Sequence, residues 1–380
     1  MKNIVYIIFA ACLGILLTAC GGQPAGQQPG TGTPPPQAAA RPTQQPDPLQ
    51  AIIDSMTLEE KVAQMFIARC PEEEAAELAG QYQLGGYILF ARDFQDSTPD
   101  QVRENIRRYQ ARVKIPMFIG VDEEGGTVNR VSRYSQFRKA PFQSPQKVYA
   151  QGGMAAVLAD AKEKSNFLLD LGINLNFAPV CDVSENPADF IYDRTLGRGA
   201  EETAEYARTV VQGMREAGIG SVLKHFPGYG NNADTHTGIA YDHREYEHFL
   251  EIDFLPFAAG IAAGADFVLV SHNIVACMDP ELPASLSAPV HDILREELGF
   301  DGVVITDDLA MDAIGQYTDD GNAAVLAIQA GNDMLCCTNF TEQIPAVAEA
   351  VAAGEIQEAR LDASVLRILK LKQSLGILEV

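Results

Sequence analysis

The 380-residue chain contains no tryptophan, so any aromatic surface it offers a ligand must come from its 17 phenylalanines and 12 tyrosines. It is also poor in positive charge: 28 Lys and Arg stand against 51 Asp and Glu, a formal net charge of −23. Phosphate backbones are held by clustered cations, so this balance argues against a nucleic-acid partner and suits a neutral or sugar-like one. Cysteine is sparse. Setting aside Cys12 and Cys20 leaves Cys70, Cys181, Cys277, Cys336 and Cys337, an odd set with no zinc-ligand spacing. Buried free thiols are expected, with no disulfide, metal or cofactor, and the apolar run around the vicinal Cys336-Cys337 pair predicts a core strand.

Long apolar runs are confined to the start, where Ile4 through Leu17 follow the single charge of Lys2. About fourteen residues is short for a bilayer span of ~20, so residues 1–19 read as a secretion signal. The signal ends in Leu17-Thr18-Ala19-Cys20-Gly21, which resembles a bacterial lipobox and makes Cys20 the expected lipid attachment site. Residues 20–48 are almost entirely Gly, Pro, Gln, Ala and Thr, too polar to order themselves, and are expected to form an extended tether. Together these features place the remainder, residues 49–380, outside the membrane on a lipid anchor, as one large domain with no second linker.

Within residues 49–380, short apolar runs bounded by Gly, Pro or Asp alternate with segments of helical period. The predicted strands are Gln64–Ala68, Gly86–Phe90, Met117–Val121, Asn174–Ala178, Ser221–Lys224, Phe267–Ser271, Val303–Thr306 and Asp333–Cys337. Helices are expected over Pro99–Val113, Ala155–Leu171, Ala200–Ala217, Ile252–Ala263, Pro289–Leu298, Thr318–Ala330 and Glu342–Ala353. Eight such repeats point to an α/β fold of the (β/α)8 barrel type, with an open doubly wound sheet as the alternative. Polar residues decide between them: Asp122, Asp182, Lys224-His225, His272 and Asp307-Asp308 all fall at the carboxyl ends of runs. A closed barrel gathers those ends on one rim, whereas an open sheet scatters them.

Four motifs occur in order: Val121-Asp122-Glu123-Glu124-Gly125-Gly126, Lys224-His225-Phe226-Pro227-Gly228-Tyr229-Gly230, Asp234-Thr235-His236 and Ile305-Thr306-Asp307-Asp308-Leu309. Together with Asn176-Phe177-Ala178-Pro179-Val180 and Asp193-Arg194-Thr195-Leu196-Gly197, they resemble glycoside hydrolase family 3, in its bacterial β-N-acetylglucosaminidase branch, over essentially all of residues 49–380. The resemblance implies a retaining double displacement in which Asp307 attacks the anomeric carbon. Along a strand only one of Asp307 and Asp308 can face the barrel interior, and the family pattern selects the first. The resemblance makes His236 the acid/base, oriented by Asp234. It assigns sugar contacts to Asp122, Arg130, Arg194, Lys224 and His225, and puts His272 near the site. Arg194 has a second reading as a clamp for its loop, and His272 as a core histidine bonded to a carbonyl.

The resemblance implies an exo-acting β-N-acetylhexosaminidase working on muropeptides or other amino-sugar chains, without cofactor or protein partner. Within the family, a phosphorylase, β-glucosidase or β-xylosidase stays open, as does a noncatalytic sugar-binding lipoprotein from another class. A Schiff-base role for Lys224 would need a desolvated amine, and its His and Asp neighbours imply a hydrogen-bonding site instead. The chain departs from the family at Tyr229, where histidine is usual, on the loop that leads to Asp234 and His236.

Overall fold

The computed structural model describes residues 47–230, 232, 240–311, 314, 317 and 323–380. Eight parallel strands form one sheet: β1 (Phe66–Arg69), β2 (Gly86–Leu89), β3 (Phe118–Val121), β4 (Leu175–Asn176), β5 (Gly220–Phe226), β6 (Phe267–Val270), β7 (Val303–Thr306) and β8 (Leu335–Cys337). Each pairs with its sequence neighbours, β8 pairs back to β1, and a parallel bridge from Ile305 to Met334 joins β7 to β8. The ring is therefore closed, as the convergence of polar residues on one rim required. A parallel sheet covered by helices is buried on both faces, which is why its strands read as unbroken apolar runs. Seven of the eight consist wholly of buried residues, and β1 departs only at Arg69, its last.

Strand boundaries moved where backbone chemistry intervened. Gln64 ends the helix Leu58–Gln64, so the first strand starts two residues later than its apolar run. β4 is cut to two residues because Pro179, just beyond it, has no N–H to donate; pairing with β5 resumes at a single bridge from Val180 to Lys224. Pro48, assigned to the tether by composition, is instead the first residue of the helix Pro48–Ser55, whose first turn is capped by the Asp47 side chain.

Two helices start well before their predicted first residues. Ser144 and Pro145 cap and open a helix that runs to Asp170, interrupted at Gly152 and Gly153, where Gly153 takes φ 61°. The Ile252–Ala263 prediction belongs to a longer helical stretch, Tyr246–His248, a π turn over Phe249–Asp253, and Phe254–Ala262. The cysteine expectation needs one correction: Cys70, Cys181, Cys336 and Cys337 are buried free thiols, but Cys277 is exposed.

At the amino ends of the strands the barrel is plugged. The rings of Phe118 and Phe267, first residues of β3 and β6, meet edge to face at 5.3 Å, and each buried phenyl contributes on the order of 1.5–3 kcal/mol. The last helix, Glu358–Ser374, lays the fully buried Lys372 against this plug, with Nζ 2.8 Å from Gln64 Oε1 and 5.2 Å from the Phe118 ring centre. With that end filled, the carboxyl ends are left to form a cavity.

Candidate active site

The carboxyl ends of the strands surround a cavity of about 520 Å³, within the size range of small-molecule sites. Asp122, Arg130, Arg194, Lys224, His225 and Asp307 all line it, and all were singled out from the sequence. Lys224 is 2.7 Å from Asp122 and 2.6 Å from Glu124. Arg194 holds Glu124 with a two-pronged contact, Nε to Oε2 at 3.0 Å and Nη2 to Oε1 at 2.8 Å. Burial alone would push the Glu124 carboxyl up, yet the charges of Arg194 and Lys224 outweigh it and hold the group well below the ordinary carboxylate range. Arg194 is thus both a clamp and part of the cavity wall.

His225 connects that wall to a second carboxylate. Its Nδ1 lies 2.8 Å from Asp182 and its Nε2 lies 3.1 Å from Arg194 Nη2. A guanidinium can only donate, so Nε2 accepts and the Nδ1 proton goes to Asp182. Asp182 also accepts from the backbone N–H groups of His225 at 3.2 Å and Tyr229 at 2.7 Å. Strict alternation would send Lys224 and His225 to opposite faces, but the β5 register with β6 shifts between Leu223 and Phe226, and such an irregularity lets consecutive side chains serve one site. The buried Tyr229 ring lies 5.7 Å from His225 and 5.9 Å from Phe190, an exposed aromatic on the loop after β4 that also lines the cavity.

The loop after β3 is built around Glu123, which is fully buried and accepts the backbone N–H groups of Arg130 and Val131 at 2.8 Å and of Ser132 at 3.1 Å. This fold-back delivers Arg130 to the cavity, its Nη2 4.0 Å from Asp122. Gly125 and Gly126 are required for it: both have positive φ, and a Cβ on Gly125 would fall 2.2 Å from the Gln143 carbonyl oxygen.

At the end of β7 both Asp307 and Asp308 line the cavity, contrary to the expectation that only one could. β7 stops at Thr306, so strand alternation no longer governs the pair. Their environments separate them instead. Asp308 is committed to Thr338, through its N–H at 3.3 Å and its hydroxyl at 2.7 Å, and to the Ala310 N–H at 3.0 Å. Asp307 donates its N–H to the Val270 carbonyl at 3.0 Å and accepts from the Asp308 N–H at 2.9 Å.

His272 has the geometry of its second reading, a core histidine bonded to a carbonyl. It is fully buried, Nε2 is 3.0 Å from the Asp308 carbonyl oxygen, and Nδ1 is 2.7 Å from the Ser285 hydroxyl. It braces the turn that carries the two aspartates. Asp234 and His236 lie outside the described residues. The chain flanking them is tied down by Arg244, which binds Asp242 with Nε at 3.0 Å, Asp253 with Nη1 at 2.8 Å and the Gly228 carbonyl with Nη2 at 3.3 Å.

Among the lining residues that had not been singled out are Glu124, Arg69 and Phe90. Glu124 sat inside a quoted motif, and a second acid two residues beyond Asp122 was the available signal. Arg69 was legible too, as a cation closing an otherwise apolar strand, the same pattern that revealed the other rim residues.

Comparison with known proteins agrees with this arrangement. Residues 57–371 match the glycosyl hydrolase family 3 N terminal domain. A β-hexosaminidase of Methylococcus capsulatus is 35% identical over 268 residues, covering 70% of this chain and 79% of that one. Among solved structures, a glycoside hydrolase family 3 β-N-acetylglucosaminidase from Paenibacillus is 33% identical with a TM-score of 0.79, over 85% of this chain; the match spans 63% of the Paenibacillus chain. A β-N-acetylhexosaminidase from Beutenbergia cavernae is 29% identical with a TM-score of 0.74, over 84% of this chain and 99% of its own. The chain belongs to glycosyl hydrolase family 3.

Proposed function

We propose that this glycosidase is a retaining exo-β-N-acetylhexosaminidase that removes terminal β-linked N-acetylglucosamine from peptidoglycan fragments or related amino-sugar chains. The observation that carries the reading is the placement of Asp307 on one cavity with Asp122, Arg194, Lys224 and His225. These side chains supply an acceptor carboxylate and directional donors for the hydroxyls of a single sugar ring, and Asp307 supplies the nucleophile. In the first step the Asp307 carboxylate bonds to the anomeric carbon while the glycosidic oxygen leaves with a proton from His236. In the second, neutral His236 takes a proton from water, which displaces Asp307 and releases the sugar. Asp234 holds the His236 ring and favours its charged form.

The acceptor is tested with an aryl N-acetyl-β-glucosaminide in the presence and absence of phosphate. Hydrolysis should proceed at the same rate in both, and dependence on phosphate would replace the hydrolase by a phosphorylase. His236→Ala should cost least with leaving groups that need no proton. A noncatalytic sugar-binding protein would release nothing under any of these conditions. The lipobox further supports attachment through Cys20, which places the enzyme outside the cell membrane.

A further inference from the structure

One cation on the cavity wall makes no ion pair or hydrogen bond with a carboxylate among the described residues. Arg194 and Lys224 are paired with Glu124 and Asp122, and Arg130 sits 4.0 Å from Asp122. Arg69, the last residue of β1, also lines the cavity, but its Nε is buried with no hydrogen-bond partner. Its guanidinium carbon lies 4.7 Å from the centre of the Phe90 ring, and that of Arg130 lies 5.7 Å from the same ring. The Arg130 Nε is likewise buried without a partner. Two guanidiniums thus share one phenyl ring, with a donor on each left over.

Burial raises the Asp93 carboxyl and the Arg69 charge opposes it, but no hydrogen bond or ion pair joins the two. Asp93, nearby in the loop after β2, is turned to the Phe90 N–H at 2.6 Å and lies 4.0 Å from Arg92 Nε. On the other side, β8 contributes Cys336, whose thiol is pushed well above its usual range by burial and stays neutral, and is followed by Thr338, which is bonded to Asp308. The backbone beside Arg69 is held by Arg92, which donates to the Cys70 carbonyl at 2.6 Å. A guanidinium packed on a ring by its face keeps its in-plane N–H edge for a ligand, and that edge matches two oxygens of one carboxylate or phosphate.

We propose that Arg69, with Arg130 beside it on the Phe90 ring, forms an oxyanion subsite of the cavity. It takes either a carboxylate borne by the sugar chain or a phosphate ion. This rests on the glycosidase reading for the identity of the chain, but not for the existence of the subsite. Arg69 is then the residue by which the enzyme distinguishes acidic from neutral substrates.

The test compares wild type, Arg69→Gln and Arg69→Lys, with thermal melting to confirm folding. Two substrates are used: a neutral aryl N-acetyl-β-glucosaminide and N-acetylglucosamine β-linked to a carboxylate-bearing sugar. For a carboxylate source, Arg69→Gln lowers the acidic-to-neutral ratio of kcat/KM by about tenfold or more, as expected for loss of one charge-assisted contact, and Arg69→Lys restores part of it. Calorimetric titration with inorganic phosphate and with glucuronate needs no turnover and separates the sources. Loss of phosphate binding in Arg69→Gln, with the ratio unchanged, assigns the subsite to phosphate. If selectivity and both titrations stay within about twofold of wild type, the subsite does not exist. If wild type cleaves neither substrate, the glycosidase reading fails and the titrations still decide the subsite.

Discussion

Glu124 shows how the polar wall of the cavity is kept charged at low dielectric. Its side chain is buried, and both oxygens are held by cations that are themselves buried or nearly so. Removing one member of such a set leaves the others uncompensated, so Glu124→Gln should lower stability by about 3 kcal/mol at pH 7, measured by urea unfolding. Because the folded carboxyl is depressed, its contribution is fully present above the unfolded value of about 4.3 and is lost only as pH falls through the lower folded value. The gap between wild type and variant should therefore persist at pH 5. Equal stability at pH 7 would show that Glu124 does not hold the wall together. At this scale the sequence was readable where a residue type announced its chemistry, as at Lys224, Arg194 and Asp307. It was not readable where a side chain's task depends on which neighbours close around it. His272 at a strand end had the same appearance as His225, yet one lines the cavity and the other is sealed behind the Asp308 carbonyl.

At the level of elements, the strands were legible because a closed parallel barrel buries them on both faces, and the helix starts were less so because capping and π turns act locally. Apolar periodicity did not mark the beginning of Pro145–Asp170, which Ser144 and Pro145 define, and it missed the π turn that ends at the buried Asp253. The last helix carries a group with a directly measurable consequence. Burial lowers the Lys372 amine to about 7. Its unfolded value is near 10.4, so between these the unfolded chain binds a proton that the folded one does not, and stability rises with pH. Unfolding free energy of wild type relative to Lys372→Met should grow by up to about 1.4 kcal/mol per pH unit from pH 7 towards 10. A flat difference across that range would place the Lys372 charge in water.

For the whole molecule, the closed barrel explains why motifs scattered from Asp122 to Asp307 act together: a ring of parallel strands delivers every carboxyl end to one rim. That convergence could be inferred from the sequence, since polar residues recurred at the ends of apolar runs. The contribution of β1 was overlooked because Arg69 belongs to none of the quoted motifs. No helix among the described residues is long and apolar enough to cross a membrane, and the proposed attachment is through Cys20. Cys20→Ala should move the protein from the membrane pellet to the soluble fraction, and continued pelleting of the unlipidated variant would rule that anchor out.

Asp307 is the nucleophile of the proposed mechanism, and a trapped intermediate tests that role directly. His236→Ala, incubated with a dinitrophenyl N-acetyl-β-glucosaminide whose leaving group needs no proton, should accumulate the glycosyl-enzyme because water is no longer activated. Peptide mass spectrometry of the quenched protein should find one N-acetylhexosamine residue on the peptide that contains Asp307, and none when Asp307→Ala is added. An adduct on another residue, or turnover of Asp307→Ala at the wild-type rate, would contradict it.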